Sequence, residues 1–326
     1  MMIAAMSSGA FRFASARFRA VRGARFSRRL GPVSHLVVIA IIAFGIPLPS
    51  HPNGFATAAT TNPFADLGLP EIAVTITNRA FEGAPENVPA GRYVLAVTNA
   101  YQESTDETDG AALLRLPDVV EAEEFITSVQ DEESDWPADW YYETTLAGGA
   151  YAALESTAYA VVDLTAGDWI LWSEVPGSPQ PPVRITVTGE FPVDPVKPAA
   201  DVTVVLSDFD IAFQSPLGAG PRIMEIVNAG EQPHFLFFGG VSEGTTAEEA
   251  QAAIDAYWDP ESAPAAPFSF AETPELFATG DQSAGTTAWY AIDFPSGTVV
   301  ATCFVSDPAT GLSHDMLGMT EIVEIG

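Results

Sequence analysis

The chain has 326 residues, with 13 Lys and Arg against 43 Asp and Glu, a net charge of -30. Seven of the basic residues are arginines within the first 29 positions and the first acid is Asp66, so the chain beyond residue 58 carries -37, a surface that repels phosphate and excludes nucleic acid as a partner. The single cysteine, Cys303, excludes an intramolecular disulfide and any multi-cysteine zinc or iron–sulfur site, and with 47% hydrophobic and 10% aromatic content the acidity does not signal disorder.

The first 58 residues read as an export segment. An Arg- and Ser-rich stretch without acids precedes an apolar run, Leu36 to Ile46, too short for the roughly 20 residues of a membrane span. Pro47, Pro49 and Pro52 end it, and Ala56-Thr57-Ala58 offers a small-residue cleavage site. Ser27-Arg28-Arg29 is a partial match to a twin-arginine signal. The alternative is an uncleaved membrane anchor; in both cases the folded part is expected outside the cytoplasm, secreted or at the cell surface.

From residue 64 onward, short alternating apolar runs are cut by Gly, Pro and Asn. Strands are expected at 72–77, 92–98, 202–206, 224–227, 298–303 and 321–325. The two halves repeat. Ala90 to Ala100 parallels Ala219 to Ala229 at an offset of 129, and Tyr159 to Gly167 parallels Trp289 to Gly297 at an offset of 130. Asp118-Val-Val-Glu121 and Thr246-Ala-Glu-Glu249 are capping boxes, so each half is expected to carry one helix, near 119–130 and 247–258. Phe125, Ile126 and Val129 of the first, and Ala250, Ile254 and Trp258 of the second, would face the sheets. Pro192, Pro195 and Pro198 mark a stiff linker over 191–199. The expected fold is all-β: two tandem Greek-key β-sandwich domains, 69–190 and 200–326, each with one short inserted helix.

Histidine is scarce. His35 and His51 lie in the export segment, which leaves His234 and His314 beside Cys303. Two histidines, a thiolate and a distant methionine form a blue-copper ligand set. His234 ends the turn Asn228-Ala-Gly-Glu-Gln-Pro-His234, Cys303 falls near the end of a strand, and the loop after it leads to His314-Asp-Met-Leu-Gly-Met319 and a terminal strand. In a Greek-key sandwich that loop can hang over the end where the His234 turn lies.

On these four features the chain resembles the cupredoxins, the blue-copper family, and within them secreted bacterial cupredoxin-like proteins with a His-Asp-x-Leu-Gly-Met ending. The resemblance covers 200–326 closely and the first half as fold only. It implies one type 1 copper in the C-terminal domain, held by His234, Cys303, His314 and the axial Met319, with Met316 competing for the axial place. It also implies single-electron transfer to a redox partner, with no catalysis. The -37 charge favours a basic partner, and the protein is expected to be a monomer. Two departures stand out. Ten residues separate Cys303 from His314, and Phe235 and Phe304 occupy places where the family often has Asn and Ser or Thr bonding across the site. In the first half Thr105 stands for His234 and Ser173 for Cys303, and no His or Met lies between Ser173 and Ile185, so that half is expected to be metal-free.

The bland alternative makes Cys303 and Met319 core residues, His234 a turn residue and His314 a solvated loop residue, in a binding or structural module without metal. Copper scavenging without a redox role is the third reading. Two histidines cannot furnish the extra centres of a multicopper oxidase, and no Gly-x-Ser-x-Gly elbow is present. The acidic runs 106–109 and 131–135 lack the calcium-loop spacing.

Overall fold

The structure, a computed structural model, describes residues 61–101, 108–118, 120, 121, 125, 139–174, 180–261, 263 and 265–326. The export segment expected over 1–58, Thr105, the acidic run 131–135 and most of the helix expected near 119–130, with Ile126 and Val129, lie outside the described residues. Phe125 is described and fully buried.

The first half contributes β1 (Glu71–Ile76), β2 (Phe81–Glu82), β3 (Asn87–Pro89), β4 (Gly91–Asn99), β5 (Thr108–Arg115), β6 (Thr145–Ala153), β7 (Thr157–Leu164), β8 (Gly167–Trp172) and β9 (Val183–Thr188). The second contributes β10 (Val202–Ser207), β11 (Asp210–Phe213), β12 (Gly220–Asn228), β13 (Phe237–Val241), α1 (Ala247–Trp258), β14 (Glu275–Ala278), β15 (Thr287–Phe294), β16 (Gly297–Thr302) and β17 (Thr320–Ile325). The expected strands are present, and α1 has the expected bounds. Alternation of buried and less buried residues along β1 and β10 is the imprint of a sheet with one face on a core.

The strand order shows how the repeat is built. One sheet has eight strands in the order β11-β10-β12-β15-β7-β4-β1-β2, and the order reads as the same sequence of roles from either end. β4 pairs with β7 over eight residues, and β12 with β15 over eight. The halves meet where β15 pairs antiparallel with β7, at Trp289 with Val161 and Tyr290 with Ala160. Ala160 and Tyr290 are 130 residues apart, the offset of the repeat, so a local two-fold axis runs through that pair. The remaining strands form one sheet in each half, β3-β9-β8-β5-β6 and β14-β13-β16-β17.

The seam is tied on both faces. On one, Phe64 packs with Val94, Val161 and Trp289. The Arg92 guanidinium lies 4.5 Å from the Trp289 ring centre and pairs with Asp163 at 2.7 Å, a contact worth about 1 kcal/mol where partly dry. The Pro-rich segment is held to both halves, because Arg92 donates to the Val196 carbonyl (3.0 Å) and Lys197 pairs with Glu225 (2.7 Å). On the other face, segment 278–283 is clamped against β6. Gly148 donates its N–H to the Asp281 carbonyl (2.9 Å), and Leu146 and Ser283 bond reciprocally. The two backbones approach so closely that a Cβ on Gly280 would lie 2.5 Å from the Gly149 nitrogen.

Two buried carboxylates sit in this second seam. Tyr141 donates its hydroxyl to Asp281, and Tyr151 donates to Glu174. Burial pushes Asp281 up to about 6 and Glu174 well above the usual carboxylate range, with Asp281 adding to the rise at Glu174.

Two tests follow from the seam. Gly280→Ala should destabilise the fold by about 1–3 kcal/mol, because the methyl meets backbone that cannot yield, and a melting temperature equal to the parent's would contradict this contact. Because the folded protein holds a proton on Asp281 more tightly than the unfolded chain does, the neutral acid's contribution to stability is complete below pH 3.8 and is lost as pH rises through about 6. Asp281→Asn should therefore gain stability relative to the parent between pH 4 and 8. Parallel stability–pH curves for parent and variant over that range would remove the argument.

Candidate metal centre

Three separate pieces of chain in the second half deliver the donor atoms. His234 ends the turn after β12, and that turn is shaped by the buried Asn228. Its side-chain amide donates to the carbonyls of Gln232 (2.8 Å) and Gln282 (2.7 Å), while its Oδ1 accepts from the Gly230 N–H (3.0 Å). The His234 backbone then bonds both ways to Gln282, at 3.0 and 2.8 Å. A Cβ at Gly230 would lie 2.8 Å from His234 Nε2, so the spacing Asn-x-Gly-x3-His has a steric cause.

Cys303 follows directly on β16, which is hydrogen-bonded between β13 and β17. The strand expected to include Cys303 ends one residue earlier, at Thr302.

His314 belongs to the loop that returns from β16 to β17. That loop is long, yet it is braced. Asp307 accepts from the Thr310 N–H (2.9 Å) and hydroxyl (2.6 Å), and His314 N–H donates to the Val305 carbonyl (2.8 Å). Helix α1 fixes its far side. The expected capping box is formed, with Thr246 and Glu249 exchanging side-chain bonds, and Ala250, Ala253 and Ile254 are buried. Its last turn presents Trp258, half-buried as expected of the inward face, whose indole N–H donates to Asp315 (2.9 Å). Gln251 bonds the Asp315 carbonyl (2.8 Å).

The result is a triangle of donors. His234 Nδ1 and His314 Nδ1 are 3.0 Å apart, and Cys303 Sγ lies 3.8 Å from the first and 3.6 Å from the second. The point equidistant from the three lies about 2.0 Å from each, a metal–ligand bond length for imidazole nitrogen and slightly short for thiolate sulfur. Among the described residues this is the one group of three His, Cys, Asp or Glu whose ligand atoms converge. All three side chains are at 0% exposure, as is Met319, whereas Met316 is half-buried. Met319 sits at the end of the same loop, its N–H donating to the His314 carbonyl (2.9 Å) and its carbonyl accepting from Thr302 Oγ1 (3.0 Å).

The outer partners fix which nitrogen carries the proton. His234 Nε2 faces Asp208 Oδ1 at 3.1 Å, and His314 Nε2 faces Gln232 Oε1 at 3.0 Å. Gln232 donates its own amide to Asp307 (3.1 Å), which keeps its oxygen turned to the imidazole. Both Nε2 atoms therefore donate, and both Nδ1 atoms present lone pairs to the same point. Burial lowers the pKa of His234. Burial and the neighbouring His234 lower His314 to about 3, and burial pushes the Cys303 thiol upward, with the nearby backbone of Phe235 and Val305 opposing the rise. The site holds neutral bases and a thiol in a dry space, a set that a cation would turn from mutual repulsion to coordination.

Phe235 and Phe304 stack edge to face at 5.5 Å, and Phe237 lies 5.2 Å from Phe304, so the aromatic substitution dries that side. Ser173, the counterpart of Cys303, bonds to Asp109 (2.9 Å), and the described residues of the first half include no histidine. The partners Asp208, Gln232, Asp307, Asp315 and Trp258 were not singled out from sequence for these contacts. Gln232 could have been found, lying two residues before His234 in a polar turn. Asp208 comes from another hairpin and carries no local signal.

No protein-family model matches the chain, and no curated protein matches it. Among solved structures it is similar to auracyanin B, at 19% identity over 40% of this chain and 93% of that one, with a TM-score of 0.26. It is similar to auracyanin from Roseiflexus castenholzii, at 19% identity over 39% and 99%, with a TM-score of 0.24. A multi-copper oxidase from Pediococcus acidilactici is similar at 11% identity over 79% of this chain and 59% of that one, with a TM-score of 0.22. At these identities and scores the reading of the site rests on its own geometry.

Proposed function

We propose that the chain is a two-domain cupredoxin-like protein, 69–190 and 200–326, exported from the cytoplasm, whose second domain holds one type 1 copper and passes single electrons. The observation that supports this most is the buried triangle of His234 Nδ1, His314 Nδ1 and Cys303 Sγ, with both imidazoles held in the tautomer that ligates. A soft thiolate with two imidazoles suits copper, and Met319 would add a thioether to the set. Copper held there would supply a one-electron couple between its +2 and +1 states. The residues supply the rest. Cys303 gives a proton to solvent on metal binding, the histidines keep theirs on Nε2, and the phenylalanines exclude water. Asn228, Gln282 and α1 hold the donors in place, so little needs to move when charge changes. In this account the acidic surface favours a basic redox partner, whose association should slow as salt rises.

Adding copper(II) to the purified protein should produce an intense visible thiolate-to-copper band and raise the melting temperature, because a ligand that binds only the folded state stabilises it. A colourless protein with an unchanged melting temperature and a freely titrating thiol would instead favour the metal-free module. Among variants, Cys303→Ser should abolish the band. His314→Ala should change the spectrum while some copper stays bound, and Met319→Leu should mainly shift the reduction potential. If the variants instead differ only in melting temperature, in proportion to burial, the residues are core and not ligands. Reversible voltammetry separates electron transfer from scavenging.

A further inference from the structure

The two-residue turn between β10 and β11 consists of Asp208 and Phe209, and it touches both histidines. Asp208 accepts from His234 Nε2 at 3.1 Å, and the Phe209 ring meets the His314 ring edge to face at 5.2 Å. Asp208 is itself oriented, since the Glu231 and Gln232 N–H groups donate to it at 3.0 and 3.2 Å. Gly230 leaves the space, because a Cβ there would lie 2.4 Å from Asp208 Oδ1. Phe209 has φ +66°, a conformation that a bulky residue adopts only at a cost of about 1–3 kcal/mol and keeps only where its surroundings demand it.

The other half supplies a comparison. β1 and β2 stand in the sheet where β10 and β11 do, at the opposite end of the palindromic order. Their turn, Thr77 to Ala80, contains Asn78 and Arg79 and no carboxylate. The carboxylate therefore accompanies the histidines and not the hairpin.

We infer that Asp208 is a positioning residue that also sets the site's reduction potential, by placing a negative charge on the outer nitrogen of one ligand only. This rests on the copper reading above. The two imidazoles are unequal: His234 donates to a carboxylate, and His314 donates to a neutral amide. A carboxylate partner raises the basicity of the ligating nitrogen. Its charge favours the +2 over the +1 state, so it lowers the potential of the couple. The electron arrives from the redox partner, and no proton need move with it.

The test is Asp208→Asn in the full chain, with copper(II) and copper(I) affinities measured separately alongside the potential. Asn keeps the oxygen acceptor and the shape and removes the charge. Copper(II) affinity should fall by about 10- to 100-fold and copper(I) affinity by less. Each tenfold change in their ratio raises the potential by about 59 mV. Asp208→Glu, which keeps the charge, should stay closer to the parent than Asn does. A purely structural role would weaken both oxidation states equally and leave the potential unchanged, which overturns the inference. If the parent itself stays colourless, the copper reading falls and this inference falls with it; a blue parent with an unmoved potential in the variant sinks this inference alone. Should the Asn variant not fold, nitrogen-15 spectra of the parent decide. A proton on His234 Nε2, hydrogen-bonded to the carboxylate, is expected, and a proton on Nδ1 contradicts the role.

Discussion

Two imidazole lone pairs and a thiol converge on one dry point, and much of the second half is arranged to permit it. Left alone, lone pairs 3.0 Å apart repel, and an uncharged His, His, Cys set gains nothing from being sealed away from water. The arrangement persists because each donor is held from behind. Asn228 and Gln282 fix His234, β16 delivers Cys303 between two neighbouring strands, and Trp258 with Gln251 pins the His314 loop through Asp315. A site built this way exchanges conformational freedom for a fixed geometry, which is what a metal that changes charge without changing partners requires.

The first half shows the same sheet order without the donors. Ser173 spends its hydroxyl on Asp109, where Cys303 offers sulfur to two imidazoles. Yet this half is joined to the site. Gln282 bridges Ala147 of β6 on one side and His234 on the other, and Tyr142 donates to the Ser306 carbonyl (2.9 Å) in the loop after Cys303. The seam therefore braces the loop that carries His314. The buried Asp281 and Glu174 lie in that same seam, so the groups that hold the halves together stand close to those that hold the donors.

Much of this was legible in the sequence because it is local. Alternation marked the strands, Thr246-Ala-Glu-Glu249 marked the start of α1, and the 129 and 130 offsets marked the internal repeat. The donor set was legible because His and Cys are scarce enough for their positions to be informative. The continuity of the eight-stranded sheet was not legible, since the pairing of β7 with β15 depends on contacts between residues 130 apart. Nor were Asp208 and Phe209, which reach the site from a hairpin about 25 residues before His234. The aromatic neighbours read as departures from the copper pattern become intelligible only in three dimensions. Phe235 and Phe304 stack on each other, each next in sequence to a donor.

The most direct test of the central claim is X-ray absorption at the copper edge on protein loaded with one equivalent of copper(II). One sulfur scatterer and two imidazole nitrogen scatterers at about 2 Å are expected, the distance that the donor triangle accommodates. A shell of oxygen and nitrogen alone, with no sulfur, would place the metal elsewhere on this acidic chain and contradict it.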